Sequence, residues 1–239
     1  MFEPVTSDDA KLPDKMTSSN FPLSNSDFSV VATAFAVERQ VLTPELSQLF
    51  ANPLRWGHDD KQKIAAGLLL CLSSTIGQTI SGVKIERLER LPPTGRDRGL
   101  IDFKLICRLR DLSQVHLGIC VLPFADREVV NEACNLLLVY KDFGLDRLCL
   151  LRQNNLMTDA SQLPTCLPRL LSADIGGHLI PLKFPDLLTI LTTLSVFQHK
   201  QQHQIANDKI FTYLLQSKQL IDNDLIEGIL MAAQLEKPH

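Results

Sequence analysis

No two of the six cysteines, Cys71, Cys107, Cys120, Cys134, Cys149 and Cys166, stand close enough to form a CxxC pair. That excludes a zinc ribbon and a dithiol redox motif. Most of them sit in apolar runs such as Leu69–Leu72 and Leu148–Leu150, where a free thiol behaves as a small buried hydrophobe. Six unpaired thiols suit a reducing compartment. Long apolar runs are missing too. The stretches at 64–72 and 187–197 fall short of the roughly 20 residues a membrane-crossing helix needs. The N-terminus carries Glu3, Asp8 and Asp9 and has no apolar h-region, so a typical secretory signal is excluded and a soluble, cytoplasmic chain is expected. There is no phosphate-cradling Gly-rich loop and no nucleophile elbow.

The chain has 239 residues, long enough for one large domain or a domain with an appendage. Its net charge of −3 lacks the basic excess of a dedicated nucleic-acid binder. The charge is unevenly placed, however: residues 1–60 carry −5, residues 61–154 carry +4 and residues 155–239 carry −2. The middle section can therefore present a local positive face.

Polar residues dominate 1–27, which reads as a flexible tail. Residues 28–59 form a lead-in: a strand or short helix at 28–37, then a short helix at 45–50 opened by Pro44. A helix capped by Asp59 or Asp60 follows, with Ile64, Leu68, Leu72, Ile76 and Ile80 at every fourth position and a stop at Gly82. Strands are expected at Val83–Leu91, at 100–109, at Val115–Leu122 and at Leu148–Leu151. The second of these alternates most cleanly, with Ile101, Phe103, Leu105 and Cys107 on one side and Asp102, Lys104 and Arg108 on the other. A turn at Pro92–Gly95 precedes it. A helix capped by Asp126, with Val129, Val130, Ala133 and Leu137 on its buried face, links the third strand to the fourth by a right-handed crossover. Residues 155–239 read as a helical extension packed on the core, with Pro185 opening one helix and shorter helices at about 207–217 and 223–234. The fold class is α/β, a mixed central sheet of four to five strands flanked by helices.

Residues 60–154 resemble the restriction-endonuclease-like, or PD-(D/E)XK, nuclease superfamily. The run Gly99-Leu100-Ile101-Asp102-Phe103 carries the resemblance, with Val115–Val121, the following helix and Gly144–Leu150. In that family an Asp opens the second strand and an acidic-x-Lys triplet lies on the third. The resemblance implies a metal-dependent phosphodiesterase, in which paired carboxylates hold Mg²⁺ beside the scissile phosphate and a Lys stabilises developing charge. Asp102 fits the first position. The triplet's acid and Lys fall on Gly118 and Cys120, and residues 61–79 contain no Asp or Glu to supply the family's optional carboxylate.

A rearranged site would draw on Glu86 of the neighbouring strand and Lys104, which shares a face with Asp102, or on Glu128, Glu132 and Lys141 of the next helix. The plainer expectation is a cross-strand ion pair between Glu86 and Lys104. Arg87, Arg90, Arg96, Arg98, Arg108 and Arg110 form the best candidate phosphate surface, to be weighed against a solvated strand edge interspersed with acids. His199 and His203 have the spacing of two ligands to one metal, yet no third ligand is evident, so solvated helix-end histidines and no bound metal are expected. The terminal helix pair fits protein contact better than DNA reading, because Asp222, Asn223 and Asp224 would repel phosphates. These residues point first to a non-catalytic nuclease-fold binding or assembly module without a cofactor. That module would have a protein partner at the C-terminal helices and a possible nucleic-acid partner. The alternatives are a Mg-dependent nuclease with a rearranged site and a scaffold with no nucleic-acid role.

Overall fold

The first helix of the described residues, α1 (Asn25–Ala51), runs 27 residues. The computed structural model describes residues 22–91, 99–123, 126–153, 166–172 and 175–235. Most of the expected tail at 1–27 and the turn at Pro92–Gly95 lie outside them. Ser24 caps α1 by accepting from the Asp27 amide at 3.2 Å. The expected break at Pro44 does not occur, and neither does a strand at 28–37. Pro44 lies inside the helix, at the cost of one backbone hydrogen bond. Burial of Val31, Ala34 and Phe35 before it and Leu46 after it offsets that cost, at about 1.5–3 kcal/mol per large side chain.

α2 (His58–Ser73) starts where the Asp60 carboxylate accepts from the Gly57 amide at 2.8 Å. It ends nine residues short of Gly82. The hydroxyls of Ser73, Ser74 and Thr75 turn back onto the carbonyls of Leu69, Cys71 and Leu72, and the periodicity carried by Ile76 and Ile80 runs out past the helix. Ile80 instead belongs to a two-residue strand, β1 (Thr79–Ile80).

Among the described residues the sheet has six strands in sequence order rather than four to five. β1, β2 (Val83–Glu89), β3 (Phe103–Arg108) and β4 (Gln114–Val121) pair antiparallel. β5 (Arg147–Gln153) and β6 (Gly177–Leu182) then add in parallel. A bulge at Glu86 shifts the β2–β3 register between Ile85 and Arg87. α3 (Arg127–Leu137) makes the crossover from β4 to β5, capped by Asp126 as expected. It buries Val130, Ala133, Cys134 and Leu137, while Val129 points outward. β6 escapes the sequence pattern because it is short and contains Pro181, tolerated on an edge strand.

A short helix, α4 (Leu167–Leu170), packs with α3 on one sheet face over Ile101, Cys120 and Leu148. On the other face α1, α2, α5 (Phe184–Gln198), α6 (Asn207–Gln216) and α7 (Asp224–Ala232) cover Phe103, Leu105, Cys107, Leu117 and Ile119. α2 and α5 touch so closely that a Cβ on Gly67 would stand 2.8 Å from the Ile190 side chain. The buried Arg147 guanidinium donates to the Ala232 carbonyl at 2.9 Å, tying the end of α7 to the sheet.

Candidate functional site

Asp102 sits one residue before β3, and its backbone amide donates to Ile119 of β4 at 2.8 Å. Its carboxylate accepts from the Val121 amide at 2.8 Å, so the side chain clamps the far end of β4. Its other oxygen faces Lys61 of α2 at 3.4 Å. Lys61 also donates to the Gly99 carbonyl at 3.1 Å. The two side chains are 5% and 11% exposed, so this is an interior ion pair. Burial pushes the Asp102 carboxyl up to about 6, against the opposing pull of Lys61 and the Val121 amide.

The family triplet's two positions on β4 are closed. A Cβ on Gly118 would stand 2.5 Å from Leu145 Cδ1 and 3.2 Å from Leu148 Cδ1, so the space for an acid there is filled by leucine. Cys120 is fully buried, and its thiol is raised well above the ordinary value by burial and then by Asp102. The ammonium nearest Asp102 thus comes from α2 rather than from β4. Sequence reasoning overlooked Lys61 because a lysine near a helix N-terminus normally reads as solvated.

Glu86 and Lys104 do not pair with each other. Glu86 holds Arg108 Nε at 2.5 Å and Gln114 Nε2 at 2.9 Å. Lys104 holds Glu89 at 2.7 Å, its direct partner in the β2–β3 register. The Glu86 bulge is the physical reason for the exchange. The Glu86 and Glu89 carboxyls both lie below the usual range, held there by hydrogen bonds from Arg108 and Lys104 respectively. Glu128, Glu132 and Lys141 are exposed on α3 and the turn after it.

Among the candidate arginines, Arg87 pairs with Glu89 at 2.6 Å and Arg108 with Glu86, so part of the expected phosphate surface is already neutralised. Arg90 and Arg110 are exposed, with Arg110 lying against Gly82. Arg96 and Arg98 lie outside the described residues.

His199 and His203 are not simply solvated. Both face Glu38 Oε1 of α1, at 3.2 and 2.8 Å, and Ser195 donates to Oε2 at 2.6 Å. Burial of Glu38 favours its neutral form, but the hydrogen bonds from Ser195 and His203 outweigh it and hold the carboxyl below its usual range. The partner missing from the sequence reading was an acid 161 and 165 residues away, beyond the reach of any local pattern. Among the described residues, no group of three His, Cys, Asp or Glu side chains has an arrangement that could hold a metal ion.

The terminal helices turn their apolar sides, Ile210, Phe211, Leu225, Ile226, Ile229 and Leu230, into the core. Asn223 caps α7, and Asp224 pairs with Lys183 at 2.8 Å. Among the described residues, no helix is long and apolar enough to cross a membrane. Comparison with family models, curated proteins and solved structures finds no match for this chain.

Proposed function

We propose that the chain is a non-catalytic nuclease-fold module that binds or assembles with a partner. The observation that carries this reading is the interior pair of Lys61 and Asp102 beside a leucine-filled Gly118. A hydrolytic metal site needs carboxylates free to take a hard cation. Here the carboxylate in the family's first position already faces an ammonium, and the triplet's acid has neither a side chain nor space for one. The run of α2, the antiparallel strands β2, β3 and β4 (preceded by the two-residue β1), α3 and the parallel β5 supports the nuclease-like part of the reading. A DNA-processing or genome-defence setting follows only from the resemblance.

The same pair lends some support to a second reading, a rearranged Mg-dependent nuclease. Lys61 supplies an ammonium next to Asp102 that the third strand does not. Glu86, the carboxylate such a site would recruit, is engaged by Arg108 and Gln114. Plasmid cleavage in Mg²⁺ and in Mn²⁺, comparing wild type with Asp102→Ala, separates the two. The module reading expects no cleavage that depends on Asp102. Nicking that disappears in Asp102→Ala would overturn it. In parallel, DNA affinity at two salt concentrations tests the partner class, since phosphate contacts weaken steeply with salt.

A further inference from the structure

Cys166 is the one thiol-bearing residue that solvent reaches. It is 9% exposed, while Cys71, Cys107, Cys120, Cys134 and Cys149 all stand at 0%. It lies just before α4 and reaches across to α3, where its thiol donates to the Asn131 carbonyl at 3.7 Å, with Asn131 Oδ1 at 3.9 Å. Asn131 and Cys134 are three positions apart on α3 and share one face of that helix. Contact with Asn131 therefore brings Cys166 to Cys134, and the Cys134 thiol donates a hydrogen bond to the Cys166 sulfur. The fold supplies a proximity that no CxxC spacing announces.

That hydrogen bond gives the pair a direction. It favours negative charge on Cys166, working against burial, and opposes it on Cys134, whose thiol burial pushes up to about 12. The buried Arg152 guanidinium of β5 is close enough to favour a thiolate at Cys134 once its turn comes. Cys120 lies near Cys134 as well, but burial and then Asp102 hold its thiol protonated. Cys166 is thus the accessible member and Cys134 the one placed behind it.

We propose that Cys166 and Cys134 form a reversible disulfide when the chain meets a peroxide, with Cys166 attacking and Cys134 resolving. The Cys166 thiolate attacks one peroxide oxygen. A sulfur–oxygen bond forms, the oxygen–oxygen bond breaks, and the leaving hydroxide takes up the thiol proton as water, leaving a sulfenic acid. The Cys134 sulfur then attacks the Cys166 sulfur, and the displaced hydroxide leaves with the Cys134 proton as a second water. Two thiols are oxidised by two electrons, and the peroxide is reduced. A small dithiol reverses the step by exchange, becoming a disulfide itself. The bond would fasten the crossover helix α3 to the start of α4. Since a Cβ on Gly177 of β6 would stand 2.7 Å from the Leu170 carbonyl, α4 bears directly on that strand, and the linkage steadies the connection between β5 and β6.

Hydrogen peroxide added to the reduced, folded full chain tests this, followed by alkylation and peptide mass mapping without reduction. The expected product is one linked pair of peptides carrying Cys134 and Cys166, separated again by dithiothreitol. Cys166→Ala should abolish the link. Cys134→Ala should trap Cys166 as a sulfenic acid that dimedone labels, a readout that a merely structural thiol would not give. The wild-type map needs no variant, so it decides even where a change at buried Cys134 unfolds the chain. Hydrogen exchange in α4 should be slower in the linked chain than in the reduced one, and equal exchange overturns the fastening. Recovery of all six thiols at a peroxide concentration that oxidises free glutathione overturns the proposal. A link from Cys166 to Cys120, or dimedone on Cys134 in the Cys166→Ala chain, overturns it as well.

Discussion

Lys61 reaches from α2 across to Asp102 at the head of β3, meeting its carboxylate at 3.4 Å with both side chains almost out of water. Such a pair is finely balanced, because desolvation of both ions offsets most of their attraction.

Removing one partner should therefore hurt more than removing both. Lys61→Met leaves the Asp102 charge stranded and is expected to cost about 3 kcal/mol at neutral pH. The loss should shrink on acidification, as the carboxyl escapes by taking a proton. The double variant Lys61→Met with Asp102→Leu should recover to within about 1 kcal/mol of wild type or exceed it. Urea denaturation midpoints of the three proteins at two pH values check this. A double variant less stable than Lys61→Met would show that Asp102 matters chiefly through its clamp on the Val121 amide.

The pH dependence of Asp102 has an unusual sign. Its folded carboxyl stands at about 6, above the ordinary 3.8, because burial outweighs Lys61. Between those values the folded chain holds a proton that the unfolded chain has lost, so stability falls as pH rises. The contribution is fully present below about pH 3.8 and is lost as pH climbs through about 6, amounting to about 3 kcal/mol. Carboxyl carbon NMR should find one aspartate titrating near 6. If every aspartate titrates below 5, the burial argument fails.

How legible this molecule was in its sequence depended on the distance over which each feature is decided. Alternation from Phe103 to Cys107, the Asp126 cap and Pro185 at the start of α5 are local, and all three appear in the fold. Pro44 misled because its penalty is local while the burial that outweighs it is tertiary. β6 was hidden by Pro181 and by the absence of a long β-branched run. The site suffered most. A bulge of one residue exchanged the partners of Glu86 and Lys104, and Lys61 meets an Asp that lies forty-one positions later.

Gly118 offers a direct test of whether the triplet can be rebuilt. A Cβ there meets Leu145 Cδ1 at 2.5 Å inside a buried layer, so Gly118→Ala overpacks the core and should cost about 1–3 kcal/mol. Gly118→Asp adds an unpartnered carboxylate to the same space and should cost more, without creating Mg²⁺-dependent cleavage. Shortening Leu145 to Ala should partly rescue Gly118→Ala, since it frees the atom in the way. A thermal scan of the single and paired variants reads this coupling. Additive losses would mean that the strand shifts rather than the leucine.

Glu38 joins α1 to α5 and the turn beyond it by accepting from Ser195 and His203, with His199 at 3.2 Å. Its carboxyl lies below the ordinary 4.5, because those hydrogen bonds outweigh burial. The sign is opposite to that of Asp102: this contribution is present above about pH 4.5 and is lost as pH falls through the lower folded value. Glu38→Gln keeps the shape but gives Ser195 and His203 a neutral acceptor at best, so it should cost about 1–3 kcal/mol at neutral pH. The cost should diminish in acid, where the wild-type carboxyl is protonated too. Because α1 packs along α5, the change should appear as faster hydrogen exchange in α1 before β3–β5 are affected. Uniform loss of protection across the sheet would instead mean that α1 cannot open by itself, and that Glu38 holds the whole fold rather than one helix.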